Sequence, residues 1–199
     1  MEDPQSDPGV RTMLAYQAGD EGAFDELVRA YSAQVYALLT RFLGTVPARE
    51  DLVQEVFLRV IRARERYQPA ARFSTWLYRI VFNLCVNEKE RLAGRLEVSL
   101  DAEPEAGQPG GRAAFADHGA PAPSDALEQE DAVQAVRAAL AALPPTQRMA
   151  LLLAKYEDLS HAEIARVMGS SEKAVKSLIH RARENLRVAL RAFLQEDAA

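Results

Sequence analysis

A single cysteine, Cys85, leaves no partner for an internal disulfide, so this chain is not stapled. It stands on an apolar helical stripe and reads as a buried structural thiol, not a reactive one. Cys/His metal spacing, a glycine-rich phosphate loop and internal repeats are also missing, and no cofactor is expected. No uncharged apolar run approaches membrane-spanning length, so no membrane insertion is expected. The N-terminus, MEDPQSDPGV, is acidic and lacks the apolar centre of a secretory leader. Strand-period segments of useful length are absent. These absences point to a cytoplasmic, all-α protein without redox or membrane chemistry.

What is present is enough hydrophobic material, 48% of 199 residues, for one large or two small packed domains. The net charge of −5 is unevenly spread. Residues 1–95 carry 13 acidic and 13 basic side chains, and residues 96–131 carry 9 acidic and 1 basic. Residues 132–199 carry 7 acidic and 10 basic. The acidity is therefore confined to the middle, and the C-terminal part is locally basic.

That basic part holds the most informative stretch, Leu159 to Leu190. Ser160 and Glu163 have capping-box spacing at a helix start. Ile164, Val167 and Met168 share one helical face, Ala165 allows a close crossing, and Gly169 supplies the left-handed ending. Ser170 or Ser171 then recaps the chain. In the next helix Val175, Leu178, Ala182, Leu186, Ala189, Leu190 and Phe193 form an apolar stripe. Lys173, Lys176, Ser177, His180, Arg181 and Glu184 fall largely on the remaining surface. A short helix, a glycine turn and a second helix with a basic face make a helix-turn-helix, whose second helix enters the DNA major groove. Lys and Arg reach guanine N7 and O6 there, and Ser reads several bases. The plainer alternative is a helical hairpin with a solvated charged face.

In chain order, residues 1–9 are expected to be a disordered tail and about Val10–Ala18 a short helix. A long amphipathic helix follows over about Ala23–Leu43, ended by Gly44. The next helix, about Pro47–Arg66, turns Leu52, Val53, Val56, Phe57, Val60 and Ile61 inward. It leaves Asp51, Gln54, Glu55 and Arg62 outside. Asp51 and Glu55 lie one turn apart, but a catalytic or metal site needs more converging ligands; a solvated or partner-binding acidic face accounts for them. After a Pro-containing loop, Ser74 or Thr75 is expected to cap a helix to about Leu92. Its core stripe is Leu77, Ile80, Val81, Leu84 and Cys85. Trp76, Arg79, Asn83 and Asn87 share another face, with Phe73 and Tyr78 near the start. Rings stack on unstacked bases and amides bond to base edges, although Trp76 and Phe73 also fit as core. Residues from Gly94 to about Ser124, rich in Pro, Gly and acid, read as a flexible linker, with His118 solvated. A helix over about 125–142, with Leu127, Val133, Val136, Leu140 and Leu143 apolar, and another over 146–156 lead into the helix-turn-helix.

Four stretches, in order, resemble extracytoplasmic-function (ECF) sigma factors, two-domain promoter-recognition subunits of bacterial RNA polymerase. FDELVRAY (24–31) resembles the start of sigma domain two, and EDLVQEVFLRVIR (50–62) its polymerase-binding helix. RFSTWLYRIVFNLCVNEKER (72–91) resembles the element that melts and reads the −10 region. The stretch from Ala142 to Leu186 resembles domain four, which reads the −35 element. The resemblance implies two small helical domains, 10–94 and 125–195, joined by a flexible acidic linker over 95–124. It implies polymerase contacts at Asp51, Gln54 and Glu55, and −10 contacts at Arg72, Phe73, Trp76, Arg79, Asn83 and Asn87. It implies −35 contacts at Lys173, Lys176, Ser177, His180 and Arg181. The implied partners are core RNA polymerase, promoter DNA and an anti-sigma protein, with the free chain a monomer and not an enzyme. Many members carry Asp where Asn87 stands, Thr where Ala174 stands and Arg where Leu178 stands, so shifted promoter preferences are expected.

Three rivals remain from the residues themselves. A polymerase-independent repressor would bind duplex DNA unaided, usually as a dimer. A protein-interaction module would bind an acidic partner but not promoter DNA. An enzyme built on Asp51 and Glu55 would lack a convergent nucleophile, metal set or cofactor loop.

Overall fold

The structure, a computed structural model, describes residues 4–44, 49–100 and 123–191, with backbone alone at 4, 90, 92–100 and 123–130. Among them there are eight α-helices and no strand, the all-α class expected.

Helix α1 (Pro8–Gln17) begins where a disordered tail is expected, preceded by a 3-10 turn at Pro4–Ser6. Asp7 is the reason. Its carboxylate accepts the Val10 N–H at 2.9 Å, and Pro8 fits a first-turn position that needs no donor. Val10 and Met13 are then fully buried. Helix α2 (Glu21–Leu43) is capped by Asp20 and ended by Gly44, whose φ of 77° suits glycine. Helix α3 (Arg49–Ala63) runs into a 3-10 turn at Arg64–Arg66. Helix α4 (Phe73–Leu100) crosses both. Leu27, Val35, Leu38, Phe42, Val56, Val60, Leu77 and Val81 close the core between them. Ile61, expected inside, is 40% exposed at the rim of α3.

Helix α4 starts before its expected cap. The Trp76 N–H already bonds the Arg72 carbonyl at 3.3 Å, and Asp7 takes the Phe73 N–H at 3.3 Å. Thr75 is buried instead, and its Oγ1 has no hydrogen-bond partner among the described residues.

The second unit consists of α5 (Pro123–Ala142), α6 (Pro145–Tyr156), α7 (His161–Met168) and α8 (Glu172–Ala189). Its core is Leu143, Met149, Leu152, Leu153, Ile164, Val167, Val175, Ile179 and Ala182. The stripe of α8 is thus centred on Val175, Ile179 and Ala182. Leu178, Leu186 and Leu190 sit half-buried at its edges, and Ala189 is exposed. Phe193 lies outside the described residues. Val133 and Val136 are exposed, because α5 presents Ala139 inward.

Residues 101–122 of the expected linker, with His118, lie outside the described residues. At its ends, α4 continues as helix to Leu100 and α5 begins at Pro123, so the described margins of the 95–124 span are helical. The two units meet directly: α2 packs on α6 and α4 on α7, and their buried side chains form one continuous cluster.

Candidate nucleic-acid interface

The helix-turn-helix is built by local bonds that spacing alone predicts. Ser160 Oγ accepts the Glu163 N–H at 3.3 Å, and the Glu163 carboxylate accepts the Ser160 N–H at 2.9 Å. Burial works against the Glu163 charge. The bonds from Ser160, with Arg72 and Arg166 nearby, outweigh it and hold the carboxyl below its ordinary range. Gly169, at φ 61°, closes α7 in the left-handed conformation. Of the two candidate serines, Ser171 caps α8, accepting the Ala174 N–H at 3.2 Å. Ala174 stands where a longer polar side chain would return a bond to the cap, so α8 has half a capping box.

With Val175, Ile179 and Ala182 turned inward, Lys173, Lys176, Ser177, His180 and Arg181 are all exposed. The predicted reading set therefore emerges together on one solvent-facing helix. Arg181 Nε donates to the Ser177 carbonyl at 3.4 Å, which lays its stem along the helix. Asn185 donates to Gln147 Oε1 at 2.9 Å and ties α8 to α6.

The second predicted surface, on α4, divides into shell and core. Arg79, Asn83 and Asn87 are exposed on one side of the helix, and Trp76 is half-buried beside them. Phe73 is fully buried, with its ring centre 5.0 Å from Tyr31 and 5.6 Å from Trp76. Tyr67 packs edge-on to Trp76 at 4.9 Å; burial pushes its phenol up to about 12. Phe73 thus supports the face from beneath, while Arg72 at the entrance is exposed.

The third predicted group, on α3, is also split. Asp51 and Gln54 are exposed. Glu55 is engaged by Arg59 at 2.8 Å and Arg62 at 3.5 Å, and the Arg59 bond holds its carboxyl below the ordinary range. Leu58 and Ile61, at 44% and 40% exposure, add an apolar component to this helix surface. Among the described residues, no group of three or more His, Cys, Asp or Glu could hold a metal ion. No helix of the described residues is long and apolar enough to cross a membrane. Cys85 is buried, and burial pushes its thiol up to about 12.

Sequence reasoning missed the residues that join the two units. The Tyr78 hydroxyl donates to Glu157, with Gln34 Oε1 also near it at 3.4 Å, and Arg41 approaches Glu157 at 3.9 Å. Arg148 is buried; it donates to the Arg41 carbonyl at 3.2 Å and lies 5.5 Å from the Phe42 ring centre. The available signal was an arginine directly before the apolar run 149–154 of α6, which marks a polar anchor without revealing its partner.

Two family models match this chain: "Sigma-70 region 2" over residues 27–95 and "Sigma-70, region 4" over 133–186. The chain is 36% identical over 196 residues to the ECF RNA polymerase sigma factor SigE of Mycolicibacterium smegmatis, covering 97% of this chain and 72% of that protein. It is 35% identical over 173 residues to the ECF RNA polymerase sigma-E factor of Escherichia coli K12, covering 84% and 86%. Its fold is similar to the sigma factor RpoE of Bartonella quintana, solved in complex with the anti-sigma factor NepR. That similarity has a TM-score of 0.65 at 20% identity and covers 84% of this chain and 96% of the other.

Proposed function

The chain belongs to the ECF RNA polymerase sigma factors, which direct promoter-specific initiation, and from that premise we propose how its residues divide the work. The observation that carries the reading is that α8 exposes Lys173, Lys176, Ser177, His180 and Arg181 together, within the stretch that matches sigma region 4. These five read the −35 element from the major groove, with Lys176, His180 and Arg181 as base or phosphate contacts. Arg72, Trp76, Arg79, Asn83 and Asn87 engage the −10 element. Trp76 offers a ring to an unstacked base, the asparagines offer amides to base edges, and Phe73 props the pocket from behind. Asp51 and Gln54, with exposed Leu58 and Ile61, bind core RNA polymerase; Glu55 joins them only by loosening its arginine pairs.

The division explains why a chain of net charge −5 can act on DNA. The polymerase brings both reading surfaces to one promoter, so the second contact is intramolecular and neither surface needs high affinity alone. The chain works as a dissociable cytoplasmic initiation factor and not as a catalyst, and an anti-sigma protein is its expected regulator.

The direct test is transcription in vitro with bacterial core polymerase on fragmented genomic DNA, with and without the protein, reading the 5′ ends. New starts sharing two spaced upstream motifs are expected. No new starts together with no binding to core polymerase would overturn the proposal in favour of a stand-alone DNA binder.

A further inference from the structure

We infer that Gln17, the last residue of α1, is a positioning residue for −10 recognition: it fixes the chain between α3 and α4 so that Trp76 stands ready for an extruded base. The inference rests on the assignment of Trp76, Arg79, Asn83 and Asn87 to the −10 element.

A helix end leaves its last carbonyls without partners inside the helix. Gln17 meets that need at the end of α3 and the 3-10 turn after it. Its Nε2 donates to the Arg64 carbonyl at 2.9 Å and reaches those of Tyr67 at 3.2 Å and Glu65 at 3.3 Å. A side-chain amide has two hydrogens to donate, so the three acceptors share them and are drawn to one point. Two further contacts hold the same turn. The Arg64 guanidinium lies 4.1 Å from the Tyr16 ring centre and pairs with Glu21 at 2.7 Å. At the far end of the connection the Phe73 N–H donates at 3.3 Å to Asp7, the N-cap of α1. The two ends of α1 therefore hold the two ends of segment 64–73.

What this segment carries is the support of the stacking ring. Tyr67 is buried and stands edge-on to Trp76 at 4.9 Å. Its hydroxyl has no hydrogen-bond partner among the described residues, so packing and the backbone bond from Gln17 set where the ring stands. Gln68, Ala70 and Ala71 of the same connection line one cleft with Trp76 and Arg79. A displaced backbone at Tyr67 thus moves the ring and the wall beside it together. Ordering such a platform only on binding would add to the cost of extruding a base. Asp51 and Gln54 lie in the first two turns of α3, away from the end that Gln17 holds, and the −35 set is on α8. Loss of Gln17 should therefore slow melting and leave the binding steps alone.

The experiment uses the full chain assembled with bacterial core polymerase, on a duplex promoter supplied by the transcription experiment above. A fluorescent base analogue in the −10 strand reports melting. Rates taken against polymerase concentration separate affinity for the duplex from the melting step. Gln17→Met keeps the side-chain length and removes the donor; it is expected to slow melting several-fold at unchanged affinity for core polymerase and for duplex. Gln17→Lys, whose ammonium brings three donors to the same carbonyls, is expected to restore most of the rate. Trp76 is the chain's one tryptophan, so its emission reports the platform in each free protein. Gln17→Met is expected to shift that emission and Gln17→Lys to return it. An unchanged melting rate in Gln17→Met, where Trp76→Ala slows melting, would overturn the positioning role. Equal losses of core affinity and melting rate would overturn it too, because a general loss of folding moves both. An unchanged rate in Trp76→Ala would instead overturn the assignment of this face to the −10 element.

Discussion

Among the five exposed side chains of α8, a base reader and a phosphate contact differ in what their loss does. A residue bonded to a base edge discriminates between sequences by about 1–3 kcal/mol, whereas a phosphate contact weakens all sequences alike. Lys176→Ala and His180→Ala are each expected to lower promoter discrimination by that amount. The measurement is competition between a matched and a −35-mutated promoter for the reconstituted polymerase; unchanged selectivity would reassign either residue to the backbone. Gly9 gives a second prediction at this scale. A Cβ added there would sit 2.3 Å from the Tyr31 hydroxyl and 2.8 Å from Phe73 Cβ. Gly9→Ala therefore overpacks the junction of α1, α2 and α4, at a cost of about 1–3 kcal/mol in chemical denaturation. Residue roles were legible in the sequence where the partner is close along the chain. Ser160, Glu163 and Gly169 announce themselves by spacing, and so do the exposed positions of α8. Tyr78 and Glu157 are 79 residues apart, and Arg148 and Arg41 are 107 apart. No local pattern encodes pairs of that separation.

At the scale of elements, one side chain does the capping for two helices. The Oδ1 of Asp7 receives the Val10 N–H of α1 and the Phe73 N–H of α4. Removing an N-cap acceptor costs about 1 kcal/mol, up to about 2 in favourable sites. Asp7→Ala is expected to lie at the upper end, since it frees two donors in a half-buried setting, and urea unfolding measures it. A loss no larger than that of Ser171→Ala, which uncaps α8 alone, would show that the α4 bond contributes nothing. The helices themselves were readable, because apolar residues recur with the helical period over long segments. Their ends were less so. The start of α4 is not encoded locally: Ser74 and Thr75 are the nearest capping types, whereas the cap comes from Asp7 in another element. The stripe of α8 runs through Ile179 and not Leu178, because a spacing of threes and fours is compatible with more than one centre line.

At the scale of the whole molecule, the sequence displays two domains and the structure adds their contact, whose buried charge makes it responsive to pH. Burial raises the Glu157 carboxyl above its ordinary range. The Tyr78 hydrogen bond and Arg41 pull it down, and Asp158 next to it adds to the rise, leaving it raised on balance. Arg72 and Tyr156 line a cleft together with Glu157 and Tyr78. Were the two units to separate, Glu157 would be solvated and its affinity for a proton would return to that of a free glutamate. The packed form therefore binds the proton more tightly, and separation of the units becomes easier as pH rises. The contribution to closure is complete below the ordinary glutamate pKa and fades as pH climbs through the raised value. With spin labels on the exposed positions Asp25→Cys of α2 and Arg183→Cys of α8, acidifying the protein from about pH 7 to about pH 5, a range just above an unperturbed glutamate, should narrow and shorten the distance distribution between the two units. Glu157→Gln, which cannot titrate, should remove that dependence while keeping an acceptor for Tyr78. A distribution that lengthens on acidification would instead mean that the Arg41 ion pair outweighs burial in holding the domains together. In that case the contact would weaken on protonation, opposite to the direction its burial requires.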